Sequence, residues 1–165
     1  KTAGLEGYLF PDTYLFLPGA ETEQIIGTMR DNFQKKAGDV GQDIVIMASL
    51  IEKEVPDSGD RKIVSGILWK RLEIGMPLQV DAVFPYVTGR RDVLSDDLKI
   101  DSLYNTYFYK GLPPGPISNP GLDAIEAARN PKESPYLYYL SGKDGKTHFA
   151  KTFAEHLENK EKYLK

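Results

Sequence analysis

The sequence predicts an α+β fold, a single compact domain of several helices with short strands and hairpins. Three observations carry this. Apolar residues recur at helical spacing in three successive segments. A pair of short alternating segments near the C-terminus brackets a glycine-containing turn. No internal repeat, low-complexity tract or linker divides the 165 residues. A chain of this length buries a core large enough to fold alone.

The first segment, Leu5 to Phe16, alternates large apolar and aromatic residues around Pro11-Asp12 and reads as two short extended pieces joined there by a turn. Residues 22 to 36 place Ile25, Ile26, Met29 and Phe33 at helical spacing, and Gly38 ends the pattern. A second helix is predicted from Asp43 to Glu54, with Ile44, Met47, Ala48 and Ile51 on one face. Pro56 bars its continuation, because the residue before a proline is pushed out of the helical region. A third, from Asp60 to Leu72, carries Ile63, Val64, Ile67, Leu68 and Arg71 and is closed by Gly75-Met76-Pro77.

A strand is predicted near Val80 to Tyr86 and a short helix from Ser95. Residues 111 to 121 form a stiff loop holding four of the eleven prolines, expected to end in a helix start with Asn119 as N-cap and Pro120 at the first helical position. That helix covers Leu122 to Ala128 and stops before Pro131. Tyr136 to Leu140 and Thr147 to Ala150 read as a hairpin across Gly142-Lys143-Asp144-Gly145, and the last helix opens with a capping box from Thr152 to Glu155.

Composition excludes several classes of function. With 41% hydrophobic and 27% charged residues the chain is neither a disordered tail nor a coiled coil. The net charge of −3 names no charged partner, and the only tight basic pairs, Lys35-Lys36 and Arg90-Arg91, do not make the basic stripe that nucleic acid requires. Ten tyrosines suit the packing of sugar faces, although most tyrosines fill cores and sheet surfaces. No cysteine is present, so thiolate chemistry and disulfides are absent and an oxidising compartment is permitted. No apolar run approaches the ~20 residues of a membrane span. The chain opens Lys1-Thr2-Ala3-Gly4 without a methionine or signal peptide, and is expected to be a fragment of a longer protein.

The common catalytic signatures are missing: no phosphate-cradling glycine loop, no Gly-x-Ser-x-Gly elbow, no His-Glu-x-x-His helix. His148 reads as a hydrogen-bonded histidine on a strand surface, and no metal site or cofactor is expected. The segment Leu50-Ile51-Glu52-Lys53-Glu54-Val55-Pro56 is different. With Ile44, Ala48, Ile51 and Val55 as the apolar stripe, Glu52 and Glu54 lie about 80° to either side of it while Lys53 points away. Either carboxylate is able to border a groove. Glu54 also ends the helix, where the negative end of the macrodipole disfavours the charged carboxylate and raises its pKa, as a general acid working near neutral pH requires.

Several long motifs in order now resemble one family. They are Leu5-Glu6-Gly7-Tyr8-Leu9-Phe10-Pro11-Asp12-Thr13-Tyr14, Ala48-Ser49-Leu50-Ile51-Glu52-Lys53-Glu54, Arg71-Leu72, Gly75-Met76-Pro77-Leu78-Gln79 with Asp81, and Tyr104-Asn105-Thr106-Tyr107. Gly111-Leu112-Pro113-Pro114-Gly115-Pro116-Ile117, Asn119-Pro120-Gly121, Tyr136-Leu137-Tyr138 and His148-Phe149 complete the set. The chain resembles the MltG-type (YceG-like) endolytic murein transglycosylases over nearly its whole length. It departs from them at Leu103, where proline is usual, and at Ala82-Val83-Phe84-Pro85-Tyr86, where a threonine-valine pair is commoner.

The resemblance implies a catalytic domain spanning residues 1–165, part of a longer membrane-anchored protein facing the cell wall, beside cell-wall synthases. It implies cleavage of the bond between N-acetylmuramic acid and N-acetylglucosamine within peptidoglycan glycan strands, leaving a 1,6-anhydro end, with Glu54 as the catalytic acid and base. One carboxyl group suffices when the muramoyl 6-hydroxyl attacks its own anomeric carbon. The second carboxylate of ordinary glycosidases is then unnecessary, and the intramolecular nucleophile brings a high effective molarity. Gln79, Asp81, Asn105 and Tyr107 are candidates to line the glycan groove, with turn-forming and capping contacts as the alternative for each. The loop from Gly111 to Pro116 is expected to form a groove wall, and Glu6 and Asp12 to be structural. Two other readings keep the same residues: a peptidoglycan-binding module without turnover, and a hydrolytic muramidase in which water replaces the 6-hydroxyl.

Overall fold

The computed structural model describes residues 4–55 and 57–165, so the predicted breaking role of Pro56 falls outside the described residues. Six α-helices and one hairpin follow in the order α1 (Thr22–Ala37), α2 (Gln42–Glu54), α3 (Ser58–Glu73), α4 (Val83–Thr88), α5 (Leu122–Arg129), β1 (Tyr138–Ser141), β2 (Thr147–Ala150) and α6 (Phe153–Tyr163). This is the α+β class that the periodicity predicts. No helix among the described residues is long and apolar enough to cross a membrane.

The fold is organised around α2. Every residue from Val45 to Ile51 is buried, so this helix is covered on all sides rather than along one stripe. α5 lies along it, α3 packs on both, and α1 touches α5. Phe33 of α1, Val64 and Leu68 of α3, Phe84 of α4 and Ile125 of α5 join the α2 side chains in one core, with Phe10 and Val80 from the connecting segments. The remaining unit is the antiparallel hairpin, paired Tyr138↔Ala150 through Ser141↔Thr147, with α6 laid against both strands. None of the residues of α6 is buried, and Phe153, Leu157 and Leu164 at this end of the chain are exposed.

Local chemistry explains where the elements begin. The Asp57 carboxylate accepts from the Gly59 and Asp60 backbone N–H groups and so caps α3. At α6, Thr152 Oγ1 accepts from Glu155 N (3.2 Å), while the Glu155 carboxylate accepts from Lys151 N (2.7 Å), one residue earlier than the predicted box. His148 is hydrogen-bonded to Asp144 and stacked on Tyr163, the structural role expected of it.

Four expectations are corrected. Residues 83–88 are helical, not part of a strand. Val83 and Phe84 are adjacent and both buried, which a half-exposed strand does not allow, and Pro85 sits in the first helical turn where its missing N–H costs nothing. The segment from Ser95 holds only one 3₁₀ turn, Asp97–Lys99. Asn119 caps no helix, because its Oδ1 accepts from Gly7 N (2.7 Å) and Leu9 N (3.2 Å), more than a hundred residues away in sequence; Gly121 is the N-cap instead. The first segment has its turns at Leu5–Tyr8 and Leu17–Ala20, not at Pro11-Asp12, and it pairs with no strand among the described residues. It is tethered by the Asp12 carboxylate, which takes hydrogen bonds from Lys36 (2.8 Å) and Asn32 (3.0 Å) and is lowered by them to a pKa of about 2.

Candidate active site

Three segments bring the site together. The last residue of α2 supplies Glu54, the irregular run before α4 supplies Gln79 and Asp81, and the turn at 105–109 supplies Tyr107. The run and the turn are fastened to each other: Gln79 N donates to Thr106 O (3.1 Å) and Val80 N to Thr106 Oγ1 (2.9 Å). Gln79 itself is held at φ 51°, the one positive φ of a non-glycine residue among those described, between the fully buried Leu78 and Val80. Such strain persists only where the surroundings enforce it, and it concentrates at functional sites.

Glu54, Gln79, Asp81 and Tyr107 all line one cavity of about 380 Å³. Ala82 N donates to Glu54 Oε1 (2.9 Å), the Tyr139 hydroxyl lies 3.3 Å from Glu54 Oε2, and the Tyr107 hydroxyl donates to Asp81 Oδ1 (2.6 Å). The Glu54 carboxyl is pushed up to a pKa of about 6, first by burial and further by the charge of Asp81, against the pull of the Ala82 N–H and the Tyr139 hydroxyl. The direction is the one expected from the sequence, but burial rather than the helix end is its leading cause. Burial and neighbouring carboxylates also raise the Tyr107 and Tyr139 hydroxyls, so both remain donors.

The two glutamates, symmetric on the helical wheel, are not equivalent in space. Glu52 Oε1 takes a bond from Arg61 (3.3 Å) and its Oε2 accepts from Gly121 N (3.0 Å), so this side chain is occupied in holding α3 and the start of α5 to α2. Glu54 has no cationic partner among the described residues and faces the cavity.

Asn105 is not brought to the cavity. It is buried, donates to Leu98 O and Ile100 O, and accepts from Tyr107 N (3.0 Å), so it builds the turn that presents Tyr107. The loop from Gly111 to Pro116 does not line the cavity either; Pro113 is buried, and the loop borders a separate depression beside Leu103 and Tyr109. The chain beyond it is latched to α2 through Ile117 N to Ser49 Oγ (3.0 Å) and Ser118 Oγ to Ser49 O (3.1 Å). The prolines therefore steer the chain across α2, and the expected groove wall is supplied by the hairpin and α6.

Cavity residues missed by sequence reasoning are Arg71, Tyr138, Tyr139, His156 and Lys160. The signal for Arg71 was present, since an arginine fell on the apolar face of α3. A larger hollow of about 550 Å³ opens beside α1, but no two of the polar side chains lining it are hydrogen-bonded to each other among the described residues.

A half-buried, raised carboxyl group held by a backbone N–H and a tyrosine hydroxyl at a cavity defines a candidate acid–base enzyme site. The match to the YceG-like family runs over residues 1–162, and the chain belongs to that family. It is similar to an endolytic murein transglycosylase of Bacillus subtilis strain 168, 41% identical over 97% of this chain and 48% of the relative. It is also similar to an endolytic murein transglycosylase of Streptococcus pneumoniae D39, 34% identical over 94% of this chain and 31% of that protein. The crystal structure of a YceG-like protein of Listeria monocytogenes superimposes with a TM-score of 0.85 at 40% identity, covering 93% of this chain and 55% of that one. The chain thus spans about half or less of the length of the curated relatives it matches.

Proposed function

We propose that this domain is an endolytic peptidoglycan lytic transglycosylase, with Glu54 as its single acid and base. The observation that carries the reading is the Glu54 carboxyl, raised to about 6 and facing a polar cavity with no cation paired to it among the described residues. In the protonated form it gives its proton to the leaving glycosidic oxygen. The resulting carboxylate, steadied by the Ala82 N–H and the Tyr139 hydroxyl, takes the proton of the muramoyl 6-hydroxyl as that oxygen closes on the anomeric carbon. The proton count balances with no metal and no second carboxylate. Asp81, held by Tyr107, and Gln79 are the polar groups placed to orient the sugar, with Asn105 positioning Tyr107 from behind. The names of the relatives support the same substrate class. Membrane anchoring, a location facing the wall and work beside cell-wall synthases belong to the same proposal for the full-length protein.

Incubation with purified sacculi tests turnover. Release of soluble muropeptides is the expected result; retention of the protein on sacculi without release would make it a binding module. The pH profile tests the acid. With Glu54 at about 6, the protonated fraction falls above that pH, so kcat/KM should drop toward tenfold per pH unit on the alkaline side. Stability should follow the same group. A carboxyl raised in the folded state contributes most below its unfolded value near 4.5 and loses that contribution as pH rises through about 6. An alkaline limb that survives replacement of Glu54 by Gln would assign the titration to another residue.

A further inference from the structure

The cavity that holds Glu54 is lined by charged groups of both signs. The carboxyl groups of Glu54 and Asp81 share its lining with the cations Arg71, from α3, and Lys160, from α6. Arg71 is only 4% exposed, yet none of the ion pairs among the described residues includes it. Its Nε donates to Leu137 O (2.8 Å) and its Nη1 to Leu78 O (2.6 Å), which leaves Nη2 without a protein partner among those residues. Two neutral carbonyls and the Tyr138 face hold this buried guanidinium, and the charge of Glu54 acts on it without forming an ion pair, so Nη2 is left to be completed by an anion. Lys160 adds a second cation in no ion pair and with no side-chain hydrogen bond among the described residues.

An aromatic surface adjoins the two cations. The His156 ring stacks on Tyr138 (centroids 5.4 Å apart, planes at 26°), Phe153 packs on Tyr138 at 5.8 Å, and the Arg71 guanidinium lies over the Tyr138 ring at 5.4 Å. His156 Nδ1 is buried with no hydrogen-bond partner, and burial beside Lys160 and Arg71 lowers the pKa of the ring, which favours its neutral, stackable form. Phe153 is 58% exposed, so the surface is open to a ligand. An apolar face for a sugar ring, edged by two unpaired cations, suits a hexose that carries a carboxylate and not a neutral one.

We propose that Arg71 and Lys160 form an anion subsite of the cavity for a carboxylate on the lactyl arm of the muramoyl residue, with Tyr138, Phe153 and His156 as the platform for its ring. The proposal rests on the peptidoglycan reading above. It assigns the muramoyl sugar, not its neutral N-acetylglucosamine neighbour, to the side of the cavity beneath α6. The carboxylate has two sources: the free lactyl group of a strand stripped of peptide, or an acidic residue of the attached stem peptide.

Binding of short glycan strands to the catalytically silenced Glu54→Gln protein tests this by calorimetry. The strands compared are peptide-stripped oligomers with free lactyl carboxylates, the same oligomers converted to carboxamides, and peptide-bearing oligomers with free or amidated side-chain carboxylates. The expected result is about tenfold tighter binding of the carboxylate form in at least one pair. A preference within the stripped pair makes the lactyl group the ligand; a preference within the peptide-bearing pair makes it the peptide. Adding Lys160→Glu should erase most of that preference. Lys160 is chosen because Arg71 also holds Leu78 O and Leu137 O, and its replacement endangers the fold. Equal affinity for carboxylate and carboxamide forms in both pairs, or a preference untouched by Lys160→Glu, overturns the subsite while strand binding itself leaves the enzyme reading standing. Failure to bind any strand overturns both.

Discussion

Glu54→Gln is expected to lower the rate of strand cleavage by about 10³-fold or more, since one group supplies both the proton donor and the acceptor. The change keeps the side chain's volume, and the amide oxygen still accepts from Ala82 N. The fold should gain stability at neutral pH. A shift from 4.5 to about 6 corresponds to about 2 kcal/mol of cost for the ionised, half-buried carboxylate, and glutamine carries no such charge. Melting temperature at pH 7.5 should therefore stay level or rise, and its decline with pH through the 4.5 to 6 range should flatten. Glu52→Gln should behave oppositely, keeping most of the activity while weakening the tie to Arg61 and Gly121. Activity measured on sacculi and melting curves across pH, on both variants, check this together.

Gly7→Ala is expected to be strongly destabilising. Gly7 has φ 89°, and a Cβ there would sit 2.6 Å from Pro116 Cγ and 2.7 Å from Val45 Cγ1. Left-handed backbone costs an alanine roughly 1–2 kcal/mol and overpacking a further 1–3 kcal/mol. The adjustment also disturbs the 2.7 Å bond from Gly7 N to Asn119, which ties the first segment to the run before α5. A loss of about 3 kcal/mol amounts to roughly 6–12 °C in Tm for a domain of this size. Gly27 provides the contrast: it lies inside α1 with nothing within 4 Å of the place an added methyl group would take, so Gly27→Ala should stabilise by about 1 kcal/mol through helix propensity. Denaturant midpoints for the two variants should move in opposite directions.

The helices were legible because their signals are local. The spacing of Ile25, Ile26, Met29 and Phe33, that of Ile63, Val64, Ile67 and Leu68, and the threonine before Phe153 act within one or two turns; α1 and α6 form where they predict, and α3 begins two residues before the expected Asp60, where Asp57 caps it. The hairpin was legible for the same reason. What failed depended on distant partners. Asn119-Pro120 has the form of a helix start, but Gly7 and Leu9 claim the asparagine across the fold. Val80 to Tyr86 looks like a strand, yet no strand lies beside it among the described residues and the core takes Val83 and Phe84 together. At the site, Glu54 stood out by its place on α2, and Gln79, Asp81 and Tyr107 by their motifs, and the cavity unites all four. Tyr139, His156 and Lys160 carry no periodic or motif signal, because only the packing of α6 on the hairpin, and the reach of Tyr139 to Glu54 at the end of α2, bring them there.

The central claim is that one carboxyl group, Glu54, cleaves the glycan by turning the sugar's own hydroxyl into the nucleophile. Digestion of purified sacculi in ¹⁸O-enriched water, followed by mass spectrometry of the new muramoyl ends, tests it most directly. Intramolecular attack predicts 1,6-anhydro ends that carry no solvent oxygen, formed by the parent protein and absent with Glu54→Gln. Reducing ends labelled with ¹⁸O would contradict the account and make the domain a hydrolase that uses the same acid.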